Sequence, residues 1–372
     1  MTDSSPADRT PPSSDSLSAD SPSTDRPSPI DWDFAVATAG RLVNPGPQIT
    51  AAEAAEVVAN LRRAAAQAHD PVAQTSGLHS PAGSAPVLVV DRPGWVAANA
   101  VSMRALMDPV IAKLNSGTPS APHPAVAAVG GKVTGAEVGA ILGFMSSKVL
   151  GQYDLAPTGR PRLLLVAPNI VQAEREMSLD PQDFRLWVAM HEETHRVQFT
   201  AVPWLREHMI AGTRELAVDI APTPTELTER LTQMVARLPQ AFQPGGTGLA
   251  EVFLTAEQKA RVDELTAVMS LLEGHADVVM DDVGPQVIPT VAAIREKFTQ
   301  RRAGIGQFDR LLRRLLGLEA KMRQYADGAV FVRAVTERVG REGFNIVWTS
   351  PETLPTAAEM ADPPAWVARV HG

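Results

Sequence analysis

Cysteine is absent from all 372 residues, which excludes disulfides, thiolate nucleophiles, iron–sulfur clusters and cysteine-ligated structural zinc. Any metal must therefore sit on histidine and carboxylate. Aromatic residues make up only 5%, with two tyrosines, Tyr153 and Tyr325, so a phenol has few places to act from. Lysine and arginine form no run, and the net charge is −8 with a pI near 5.5, so the basic footprint of a nucleic-acid binder is missing. No stretch reads as reaching the roughly 18 apolar residues that a membrane span needs, and the N-terminal segment has no apolar signal core. These absences predict a cytoplasmic protein with neither nucleic acid nor membrane as partner.

What is present suffices for one large core, with 44% hydrophobic and 20% charged residues. Residues 1–30 are Ser, Pro, Asp and Thr with little to bury, and predict a disordered tail. Residues 31–372 then read as one folded domain. Amphipathic helices are expected from Trp32 and after Thr50, a candidate N-cap. The Ala/Gly-rich "TGAEVGAILGFMSSKVLG" reads as a helix whose small residues permit close packing. Strands are expected at Val87–Val90 and in "RLLLVAP" (162–168). Two short strands among many helices predict an α-rich α+β domain with a small β element. The Pro-rich C-terminal end is expected to lie along the surface through Trp348, Leu354 and Trp366.

Chemistry concentrates in "AMHEETHRVQFTAVPW" (189–204). Asp180 and Pro181 mark the start of a helix that the pattern carries to 208, with Pro203 kinking or ending it. On such a helix His191 and His195 stand one turn apart on one face, the spacing that two zinc ligands need. Glu192 lies about 100° round the helix, where its carboxylate reaches water at the metal without having to ligate. Trp187 and Phe199 flank the motif at helical spacing and read as core.

The third ligand decides the class. Metzincin spacing needs Gly at 198 and His at 201, and the chain has Gln198 and Ala201. A second apolar helix, with its stop at Gly284-Pro285, carries "LLEGHADVVMDD", which offers Glu273, His275 and Asp277. His275 lies about 200° from Glu273, so Glu273 is favoured and His275 is left to line the pocket or stand behind the ligands. Glu273 with Asp277 resembles the gluzincin arrangement, which implies Glu273 as third ligand and Asp277 as acceptor of a hydrogen bond from His191. The interval of roughly eighty residues after His195 is longer than in the best-known gluzincins, and an inserted helical hairpin at 217–238 would account for it.

The segments "LLLVAPNIVQAEREMSLDPQDFRLWVAMHEETHRVQFTAVPWLREHM", "LLEGHADVVMD", "LEAKMRQYADG" and "VWTSPETLPT" resemble an uncharacterised bacterial family of zincin-like metallopeptidases. Its members are often described as zinc-dependent metalloproteases or as proteins associated with deazaflavin-coenzyme biosynthesis. The resemblance spans nearly all of residues 31–370. It implies a zincin-like fold, one zinc ion, His191, His195 and Glu273 as ligands, and Glu192 as the catalytic residue. Beside it, Tyr325 and Arg323 are candidate stabilisers of a developing oxyanion, and "RLLLVAP" is a candidate strand for aligning a peptide. The expectation is a zinc metallohydrolase, a peptidase acting on a peptide or small amide. The alternative is a non-catalytic zincin-like scaffold or binding protein with a structural metal.

Overall fold

A computed structural model of the chain describes residues 28–81, 84–116, 124–221, 254–303 and 318–372. Nearly all of the expected N-terminal tail lies outside the described residues, as does most of the hairpin expected at 217–238.

Helix starts follow local chemistry. Asp31 caps α1 (Trp32–Leu42), its carboxylate accepting from Phe34 N. Thr50 and Glu53 form a reciprocal capping box that opens α2 (Ala51–Ser76). Val57, Leu61, Ala64, Ala68 and Val72 then follow at helical spacing and are buried, the face that α2 turns to the motif helix.

Strand β1 (Val87–Val90) leads into α3 (Arg92–Ser116) and α4 (Pro124–Met145). Small residues let α4 lie tightly along α1. Residues Ala125–Met145 have a mean hydropathy of 1.4 and are long and apolar enough to cross a membrane by length and composition. That corrects the expectation of no such segment. Valine and alanine raise the mean hydropathy while interspersed glycines break up any apolar run.

The sheet is completed by β2 (Gly151–Asp154) and β3 (Arg162–Val166), in the order β1-β3-β2, with β1 parallel and β2 antiparallel to β3. Strand β2 was not expected. Strand β3 is central, with Leu163, Leu164, Leu165 and Val166 buried. Paired on both sides, β3 has no edge left for a peptide, which overturns its candidacy as the substrate-aligning strand.

Helix α5 (Ala167–Glu176) begins where "RLLLVAP" was read as continuing. The motif helix α6 (Pro181–Ala201) stops short of 208, and Pro203 stands in the bend before α7 (Leu205–Ile220). Helix α8 (Ala256–Val287) runs through Gly284-Pro285, the expected stop. A proline in the last turn removes a single helical N–H, and Ile288 N still donates to Gly284 O.

Helix α9 (Val291–Ala303) follows. Helix α10 (Leu318–Phe344) comes next and is kinked at Gly340, where φ is 74°. Helices α8 and α10 meet backbone to backbone: a β-carbon on Gly274 would lie 2.1 Å from the Gly328 carbonyl carbon. The short α11 (Ala357–Ala361) and α12 (Pro363–His371) end the chain. Trp348, Leu354 and Trp366 are buried in the main core rather than laid on the surface. The Trp366 indole donates to Thr353 O at 2.8 Å, which satisfies its polar atom inside.

Candidate metal centre

Asp180 accepts from Gln182 N and Asp183 N and so starts α6. Phe184, Val188, Ala189 and Met190 are buried, and this apolar side anchors the helix between α2 and α8. The rotation that buries it turns His191 and His195 toward α8, where Glu273 meets them. His195 Nε2 is 3.3 Å from His191 Nε2. The Glu273 carboxylate oxygens are 3.8 Å from His191 Nε2 and 3.6 Å from His195 Nε2.

These separations test the fit of a metal. Ligand atoms held tetrahedrally at about 2.0–2.1 Å from zinc stand roughly 3.3–3.4 Å apart. The three gaps lie at or slightly above that edge, so small side-chain movements would close them. Among the described residues, His191, His195 and Glu273 form the one group of three or more His or acidic side chains that could hold an ion. Imidazole and carboxylate donors suit zinc.

Glu192 projects beside this group. It is buried, and burial is the largest cause that pushes its pKa up to about 7; His195 pulls it down, and Glu273 adds to the rise. Its carboxylate lies against Gly151 at the start of β2. The neighbouring Glu193 points the other way, fully buried, with Arg196 Nε at 2.7 Å and His69 Nδ1 of α2 at 2.7 Å. Adjacent carboxylates of one motif thus take two settings, one beside the candidate ligands and one tying α6 to α2.

His275 is buried and stacked on Phe344 with ring centroids 5.6 Å apart. Burial, and then the charge of His195, depress its pKa to about 3. It stands apart from the ligand group and reaches it through Gln198, whose amide lies between the rings of His195 and His275. Asp277 is one turn beyond Glu273, close enough to Arg295 to favour its charge. Tyr325 and Arg323 belong to α10, and their side chains lie outside the described residues. Trp187 stacks over His191 at 6.5 Å, and Phe199 stacks on Tyr153 at 5.2 Å. Sequence reasoning missed Gln198, Gly151 and the pairing of Glu193 with His69.

A cavity of about 660 Å³ opens between the end of α2, α8 and α10, lined by Gln74, His275, Asp282, Arg341 and Phe344. None of the three candidate ligands lines it, so it is not where an ion or a scissile bond would sit.

A helix-borne His-Glu-x-x-His, a carboxylate from a second helix and a small mixed sheet beside them define a metallohydrolase-type centre. The zincin-like metallopeptidase family model matches residues 30–367, and the chain belongs to that family. Among solved structures, a protein from Chloroflexus aurantiacus described as "a putative hydrolase with a novel fold" is 30% identical. That alignment covers 92% of this chain and 99% of the other, with a TM-score of 0.65. No curated protein matches.

Proposed function

We propose that the protein is a zinc-dependent hydrolase that cleaves peptide or small amide bonds. The observation that carries this reading is the convergence of His191, His195 and Glu273 at near-tetrahedral spacing with the Glu192 carboxylate beside them. A zinc ion bound there supplies Lewis acidity to water and to the scissile carbonyl. Glu192 takes the proton from the attacking water and delivers it to the leaving amine, as the new C–O bond forms and the C–N bond breaks. A pKa raised toward 7 suits a group that must both accept and return a proton near neutrality.

Asp277 orients His191, and Tyr325 with Arg323 stabilises the oxyanion; both roles rest on the gluzincin resemblance and on oxyanion chemistry. An extended substrate would align on β2, which among the described residues pairs only with β3 and whose Gly151 meets Glu192. The reading includes a cytoplasmic location, since a chain without cysteine needs no oxidising compartment to fold. The deazaflavin-coenzyme association names no reaction and adds no substrate.

The test combines metal analysis with cleavage of a peptide library. One zinc per chain is expected, with turnover that Glu192→Gln abolishes while zinc is retained. Wild-type turnover in that variant sinks the proton-transfer role. Stoichiometric zinc with no cleavage of any peptide, and unfolding on chelation, would instead mark a scaffold with a structural metal.

A further inference from the structure

Gln198 is fully buried three residues beyond His195, and its side-chain amide spends itself on three partners. Oε1 meets His195 Nδ1 at 3.0 Å, while Nε2 donates to the Leu272 carbonyl at 2.9 Å and meets His275 Nδ1 at 2.9 Å. A backbone carbonyl only accepts, so the NH2 end of the amide must face Leu272 and Oε1 must face His195. Oε1 likewise only accepts, so His195 Nδ1 carries the proton. The lone pair of that ring is left on Nε2, the atom turned toward His191 and Glu273. Leu272 immediately precedes Glu273, so the same amide fastens the helix bearing the two histidines to the helix bearing the carboxylate.

We propose that Gln198 is the positioning residue of the metal centre: it sets the Nδ1–H tautomer of His195 and holds α6 in register with Glu273 on α8. The metal half of this inference rests on the function proposed above; the tautomer half stands without it.

Two readouts decide it. Long-range 1H–15N spectra of histidine-labelled, chelator-treated protein, taken at alkaline pH, report which nitrogen of neutral His195 bears the proton. Chelator competition reports zinc affinity. In the wild type the proton is expected on Nδ1. Gln198→Met keeps the volume without an acceptor; it is expected to lose the tautomer preference and bind zinc about 10- to 100-fold more weakly. Gln198→Glu keeps an acceptor for His195, and is expected to keep that tautomer and an affinity between the two.

A wild-type His195 protonated on Nε2 overturns the inference, as does a methionine variant that matches the glutamate variant in both readouts. Should the methionine variant fail to fold, the wild-type tautomer and the glutamate variant decide. A wild type that binds no zinc, yet shows His195 protonated on Nδ1, sinks the metallohydrolase reading and leaves the tautomer assignment standing.

Discussion

The carboxylate of Glu192 rests directly on the α-carbon of Gly151: a β-carbon there would lie 2.5 Å from Glu192 Cδ and 2.7 Å from Oε1. Strand β2 therefore has room for the Glu192 carboxylate only because residue 151 has no side chain. Gly151→Ala must push Glu192 aside or bend the strand. Displacements of about 1 Å in a reacting group cost on the order of 100-fold in rate. The expected outcome is a loss of that size in kcat with zinc stoichiometry unchanged, measured by peptide cleavage and metal analysis. An alanine variant with wild-type kcat would show that the contact is idle.

The burial that raises the Glu192 pKa to about 7 has a stability signature. Below pH 4.5 the carboxyl is protonated in folded and unfolded chains alike, and burial carries no ionic penalty. Between 4.5 and 7 the unfolded chain ionises first, and above 7 the penalty is complete. In chelator-treated protein, Glu192→Gln is expected to match the wild type at acid pH. It should gain stability as pH rises, reaching roughly 3 kcal/mol above pH 7. Urea denaturation across that range checks it, and a pH-independent difference contradicts the assignment.

Glu193 gives the opposite result. Its carboxylate is fully buried with Arg196 on one side and His69 on the other. Removing one member of such a pair leaves an uncompensated charge inside. Glu193→Ala is expected to cost about 3–5 kcal/mol by urea denaturation. A loss under about 1 kcal/mol, the range of an exposed pair, would mean that water reaches Arg196.

Helices α8 and α10 give a third stability test. A β-carbon on Gly328 would lie 2.0 Å from the Ser270 carbonyl oxygen, a backbone atom that cannot rotate away. Gly328→Ala is expected to destabilise by at least the 1–3 kcal/mol typical of overpacking. Because Ser270 stands one turn before Glu273 on α8, zinc affinity should fall as well. Denaturation and chelator competition on the same preparation read both effects.

Much of this organisation is legible in the chain because the signals are local. Asp180-Pro181 marks the start of α6, Thr50 with Glu53 marks α2, and the spacing of His191 and His195 places both rings on one face. Glu273 emerged as the favoured partner because its pairing with Asp277 resembles the gluzincin arrangement, and helical angles then set His275 on the far side. Strand β2 stayed hidden, since Gly-Gln-Tyr-Asp has no β-branched residue and its pairing with β3 is a tertiary fact. Gln198 looked like a mismatch to one metalloprotease pattern; only the approach of the Leu272 carbonyl from α8 gives its amide a task. The run through Gly284-Pro285 shows a local stop signal yielding to a helix already anchored in the core.

The two imidazoles and the carboxylate that complete the metal group are separated by nearly eighty residues of chain, and they meet only where α8 docks on α6. A nascent polypeptide that has released His195 but not yet Glu273 owns a two-point grip with no closing donor. A three-point grip on an ion therefore requires α8 to be docked on α6, so a half-made chain is expected to offer only the two imidazoles.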